Sequence, residues 1–186
     1  MFNDPERPFF KSSVHFPLKK IDPALYSDFV KKKFIKSNRE IDDSVAIYIV
    51  NTAEAHPYYT QLLAHTVWES GEVSEAIGIK QVDAAVNRIM ERETAAFTNL
   101  WENLTLKQKR LLLALSLKKD DDKIFSPGFL NKYNLNSPGT VQRGLKSLIN
   151  KGIIDKEGDF IAITDVFLKP WLNKRMSYSI RQNGMA

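Results

Sequence analysis

No cysteine occurs among the 186 residues, which excludes disulfides, zinc thiolate sites and thiol nucleophiles. Long apolar runs are missing too. The longest, Val45 to Val50, has six residues, against the roughly 20 needed to span a bilayer. The opening MFNDPERPFF has charges and prolines where a secretory signal needs an apolar stretch, so no membrane and a reducing, cytoplasmic location are expected. There is no Gly-x-x-x-x-Gly-Lys-Ser/Thr, no Gly-x-Gly-x-x-Gly and no His-Glu-x-x-His. The three histidines, His15, His56 and His65, are too scattered for a triad or a metal site. Serines and aspartates sit at caps and turns, where backbone chemistry explains them. The chain is therefore expected to have no catalytic residue, no metal site and no cofactor bound by itself.

What is present is an ordinary globular composition, 43% apolar and 26% charged. The net charge of +5 is unevenly spread: residues 1–36 carry +4, residues 37–100 carry −6 and residues 101–186 carry +7. An acidic middle and a basic C-terminal part suggest modules with different partners.

Residues 1–20 hold three prolines and four phenylalanines without a helical period. Val14 to Leu18 alternates like a single strand lacking a partner. Asp22-Pro23 then opens a helix over 22–35, with Leu25, Phe29 and Val30 as its apolar face. Asp42 caps a segment over 42–53 whose β-branched run favours a strand and whose Asp-Asp-Ser start favours a helix; helix is the expectation. A third helix spans Pro57 to about Ser70. After a break at Gly71–Gly78, Val82, Ala85, Val86, Ile89, Ala96, Phe97 and Leu100 recur at spacings of three and four. They predict a long amphipathic helix over 80–101.

The last 80 residues have sharper punctuation. Thr105-Leu106-Lys107-Gln108 is a capping box opening a helix. Ser126-Pro127 and Ser137-Pro138 open two more, the latter ending at Lys151-Gly152. Ile153-Ile154-Asp155 and Phe160 to Ile163 flank Lys156-Glu157-Gly158-Asp159, a hairpin with a glycine turn. Three helices followed by a hairpin predict a winged helix, closed by a short helix over 166–174 on Phe167, Trp171 and Leu172. In its third helix Val141, Leu145, Leu148 and Ile149 share one face; Gly139, Arg143, Lys146, Ser147 and Asn150 lie opposite. Arg143, Lys146, Ser147 and Asn150 are the candidate DNA-binding residues, because Arg and Asn read base edges and Lys pairs with phosphate.

Three segments carry a resemblance. Ala55-His56-Pro57-Tyr58-Tyr59-Thr60-Gln61 resembles the His-Pro-Tyr-Tyr-x-Gln signature in the lid of archaeal-type P-loop ATPases, the AAA+-related signal-transduction ATPases with numerous domains. Phe2 to Phe10 is similar to the stretch before that family's last core strand, and Ile163 to Leu172 resembles its closing Asp-Pro-x-Phe-x-x-Trp-Leu stretch. The resemblance implies a mainly α chain: a core remnant over 1–20, a helical lid over 21–102, a winged helix over 103–176 and a disordered tail over 177–186. It also implies that His56, Pro57 and Gln61 contact a nucleotide base and that Arg7 senses phosphate. Ala55 departs from the family, which commonly has glycine there. Tyr58 and Tyr59 are expected in the core.

The phosphate-binding lysine and the magnesium ligand of such an ATPase would belong to a core domain outside this chain, so ATP and Mg are expected only in a longer parent protein, with no hydrolysis here. The expected function is a lid and winged-helix regulatory fragment coupling nucleotide state to DNA or protein binding. If Met1 is a true start, the chain is a remnant of the family; otherwise the parent is an ATPase. The alternatives are a stand-alone winged-helix DNA-binding protein and a protein-interaction module that forms homo-oligomers through its N-terminal strand, Phe9 and Phe10.

Overall fold

A computed structural model describes residues 21–70, 77–119, 121–158 and 160–183, with side chains described as far as residue 175. The N-terminal strand, the core remnant and Arg7 lie outside the described residues.

Eight helices and one hairpin are seen among the described residues. α1 is Pro23–Lys36, α2 Asp43–Thr52, α3 Pro57–Ser70 and α4 Ile79–Glu102. α5 is Leu106–Ser116, α6 Pro127–Lys132 and α7 Pro138–Asn150. β1 (Ile154–Glu157) and β2 (Phe160–Ile163) follow, then α8, Leu168–Asn183. The chain is mainly helical with one small antiparallel sheet, as a winged helix requires.

Local chemistry places most boundaries. Asp22 Oδ1 accepts from Ala24 N (2.8 Å) and Leu25 N (3.2 Å), and Pro23 takes the first helical position. The segment at 42–53 is a helix, but Asp42 makes no side-chain cap; its carbonyl instead accepts from Val45 N and Ala46 N. At α5 the capping box forms reciprocally: Gln108 N donates to Thr105 Oγ1 (3.4 Å) and Thr105 N to Gln108 Oε1 (2.8 Å). Asn134 and Asn136, in the turn between α6 and α7, take φ of 51° and 55°, a left-handed conformation that asparagine tolerates.

Two expectations are corrected. Leu25 and Phe29 do not face the core: Leu25 is 72% exposed and Phe29 48%. The buried stripe of α1 is Tyr26, Ser27, Val30 and Phe34, one position further round, because α1 docks on α2 through that edge. The tail expected to be disordered from residue 177 is helical as far as Asn183. No glycine or proline follows Pro170 before Gly184, so nothing in the chain chemistry stops the helix earlier.

One apolar cluster runs through the described residues. α5 and α7 pack closely, with Leu111, Leu112, Leu145 and Leu148 buried between them. α8 bridges to the preceding helices: the Trp171 ring lies 5.7 Å from that of Phe97 in α4, and Phe167 is edge-on to Tyr59 in α3 at 5.6 Å. No helix among the described residues is long and apolar enough to cross a membrane.

Candidate nucleic-acid interface

α7 owes its position to its apolar face. Val141, Leu145 and Leu148 are buried, and Gly144 lets α5 come close. A Cβ built at Gly144 would sit 2.7 Å from Leu111 Cδ2, so a side chain here would need the end of the Leu111 side chain to move. With that face against α5, the other side is presented to solvent. Arg143, Lys146 and Asn150 are exposed, and among the described residues no hydrogen bond or ion pair occupies them. The helix itself carries two cations and no carboxylate.

Ser147 behaves differently from the other candidates. It is half-buried, and its Oγ accepts from Gln108 Nε2 at 2.7 Å. Gln108 thus uses its oxygen to cap α5 and its nitrogen to hold α7. Ser147 is a packing residue because it lies on the flank turned to α5, not at the outermost position. Ile149, assigned to the buried face, is 36% exposed and marks the edge of that face.

The wing is turned away from this surface in its chemistry. β1 and β2 pair antiparallel, Asp155 opposite Ala162 and Glu157 opposite Phe160. Gly158 provides the positive φ, 60°, that the turn needs. Asp155, Glu157 and Phe160 line one side of a cleft of about 330 Å³; Glu54, His56 and Pro57 line the other. Three carboxylates therefore face this cleft, and a polyanion would be repelled from it.

The residues implied as base contacts are not brought together. His56 and Pro57 line the wing-side cleft, whereas Gln61 lines a separate cleft between α1 and α3. His56 is exposed and its ring packs 4.8 Å from that of Tyr59. Tyr58, expected in the core, is 63% exposed: the first turn of α3 projects it past the ring of Tyr59. Tyr59 is half-buried, and burial, reinforced by the nearby Asp165 charge, pushes its hydroxyl up to about 12.

The turn before α3 is strained. Glu54 and Ala55 take φ of 52° and 53° in succession, a conformation costing a residue with a Cβ about 1–2 kcal/mol. Glycine would take this conformation without the Cβ penalty. Glu54 is held by an ion pair with Lys169 at the start of α8. Nearby, Asp165 Oδ1 accepts from Phe167 N at 2.8 Å. Burial raises the Asp165 carboxyl above its ordinary range, opposed in part by the Phe167 and Leu168 amides. Two segments singled out in the sequence, around His56 and around Phe167, thus meet in space.

Among the described residues no group of three or more histidines and carboxylates could hold a metal ion. No curated protein and no solved structure matches the chain. A family model does match, over residues 95–174, and it covers the winged helix without any part of an ATPase core. Its span begins inside α4, close to Phe97, whose ring packs on Trp171, so the matched unit takes in the end of the long helix as part of its core. Residues 95–174 are similar to the family described as a probable winged helix domain.

Proposed function

We propose that the chain is a winged-helix DNA-binding protein that contacts duplex DNA through α7 and not through its wing. The observation that supports this is the unpartnered cationic face of α7, Arg143 and Lys146 with Asn150 beside them, set on a helix whose opposite face is fixed against α5. Arg143 fits a guanine edge or a phosphate, Lys146 a phosphate, and Asn150 an adenine edge. On this reading the chain works in the cytoplasm and has no hydrolytic activity of its own.

The test is fluorescence anisotropy of a labelled duplex of mixed sequence at two salt concentrations. Binding should weaken with salt, log K falling by about 0.9 per phosphate neutralised. The double variant Arg143→Ala/Lys146→Ala should lower affinity several-fold and flatten the slope by roughly two contacts. No binding at low salt ends this reading.

A second reading has its own supporting observation. The Glu54–Lys169 pair and the Tyr59–Phe167 contact tie the turn before α3 to the start of α8. In a longer parent ATPase of the kind the sequence resembles, closure of the helical part over nucleotide would carry the winged helix with it. ATP and Mg would then belong to a core domain acting as partner. A phosphate loop within about 200 residues upstream in the same reading frame, one domain's length, would support this; none in any frame would remove it.

A further inference from the structure

α1 and α3 both pack on α2 and run side by side without closing on each other. They are bridged at two ends. Tyr26 Oη donates to Pro57 O (3.2 Å), and Trp68 Nε1 donates to Ser37 Oγ (3.0 Å). Between the bridges lies a cleft of about 350 Å³, within the size range of small-molecule sites. Its lining is largely apolar: Tyr26, Val30 and Phe34 from the buried stripe of α1, with Phe29 at the rim.

The floor carries an anomaly. Thr60 is fully buried, and its hydroxyl has no hydrogen-bond partner. Two other helical threonines return their hydroxyls to the carbonyl four residues back: Thr66 to Leu62 O at 2.8 Å and Thr94 to Met90 O at 2.7 Å. Thr60 does not, and an unpaired buried hydroxyl is costly. Threonine has two accessible χ1 wells in a helix, and Thr60 is among the residues that line the cleft.

The polar groups at the rim have one sign. Lys33 lies with its ammonium 5.2 Å from the Phe29 ring centroid. Its neighbours Lys31 and Lys32 are paired with Asp43 and Asp28, but among the described residues Lys33 has no carboxylate partner. Gln61 adds an exposed amide on the α3 side. Among the described residues no Asp or Glu lines the cleft.

We propose that this cleft binds a small amphipathic carboxylate, its aryl or branched-alkyl body between Phe29 and Phe34 and its anionic group at Lys33. Thr60 and Gln61 supply the hydrogen bonds that orient it. The site goes beyond the DNA-binding reading and does not rest on it; either can fail alone.

The test titrates the full chain, without DNA, with 3-phenylpropionate, following backbone amide shifts. Its neutral analogue 3-phenylpropan-1-ol and its cationic analogue 3-phenylpropylamine serve as comparisons. Saturable shifts centred on Tyr26, Phe29, Thr60 and Gln61 are expected, with the carboxylate tightest and the amine weakest. Lys33→Gln should weaken the carboxylate roughly two- to five-fold while leaving the alcohol unchanged. Thr60→Val, nearly the same shape, should weaken it roughly two- to ten-fold. Both variants keep the fold, since Lys33 is exposed and Thr60→Val removes an unpaired hydroxyl. Shifts centred elsewhere, an alcohol that binds as tightly as the acid, or variants that both bind like the parent would each overturn the proposal, as would saturation without any effect at residue 60.

Discussion

α7 and the wing lie in one winged helix and carry opposite chemistry. α7 has Arg143 and Lys146 and no carboxylate; β1 has Asp155 and Glu157 against Lys156. α7 is anchored by what lies behind it, Leu145 and Leu148. The wing instead shares a cleft with Glu54, His56 and Pro57. A winged helix can reach DNA with both parts; on the proposed reading charge divides that work, and the wing lies beside the turn before α3. A fold name alone would have assigned both to DNA.

That division can be broken or sharpened in order of expected effect. The largest is at the back of α7. Leu148→Ala should cost roughly 2–5 kcal/mol of stability in urea unfolding, because Leu148 is fully buried. A loss under about 1 kcal/mol would mean that α7 is not held by its apolar face. Next, Gly144→Ala sets displacement of the Leu111 side-chain end against a helix-propensity gain of roughly 1 kcal/mol, so its net effect in urea unfolding should stay within about 1 kcal/mol. On the front of α7, Arg143→Ala/Lys146→Ala should leave the unfolding free energy within about 0.5 kcal/mol while reducing DNA affinity several-fold. In the turn beside the wing, Ala55→Gly should raise stability by up to about 1 kcal/mol. The greater freedom of glycine in the unfolded chain offsets part of the gain. A loss there would show that the left-handed geometry carries no strain. The smallest effect is expected on the wing: Asp155→Asn/Glu157→Gln should change duplex affinity less than about two-fold, a rim-charge effect. A large gain would place the wing on DNA and erase the contrast.

Much of this was legible in the residues. Ser126-Pro127, Ser137-Pro138 and the Thr105–Gln108 box each carry local chemistry that fixes a helix start without tertiary help, and all three starts fall where they were expected. Glycine at 158 likewise marks the hairpin turn. What could not be read is what depends on which neighbour arrives. Leu25 and Phe29 have the right spacing for a core face, but α2 settles against the adjacent edge of α1. Ser147 sits among polar residues on a wheel, yet Gln108, 39 residues away, reaches it. Gly144 is a lone glycine inside a helical pattern, a signal of close approach, and it lies against Leu111 of α5. Gln61 was singled out, but its cleft is formed with α1, whose distance in sequence hides it; the orphan hydroxyl of Thr60 has no trace in the sequence at all.

The wing has a further consequence for behaviour in solution. Among the described residues its sheet has two strands of four residues each, so both are edge strands of that sheet. Short length and charge are the usual guards of such an edge, and Asp155 and Glu157 stand on β1 itself. On the proposed reading, the carboxylates that set the wing apart from DNA would also oppose the addition of one molecule's strand to the next. Neutralising them to gain nucleic-acid contact would come at the expense of solubility.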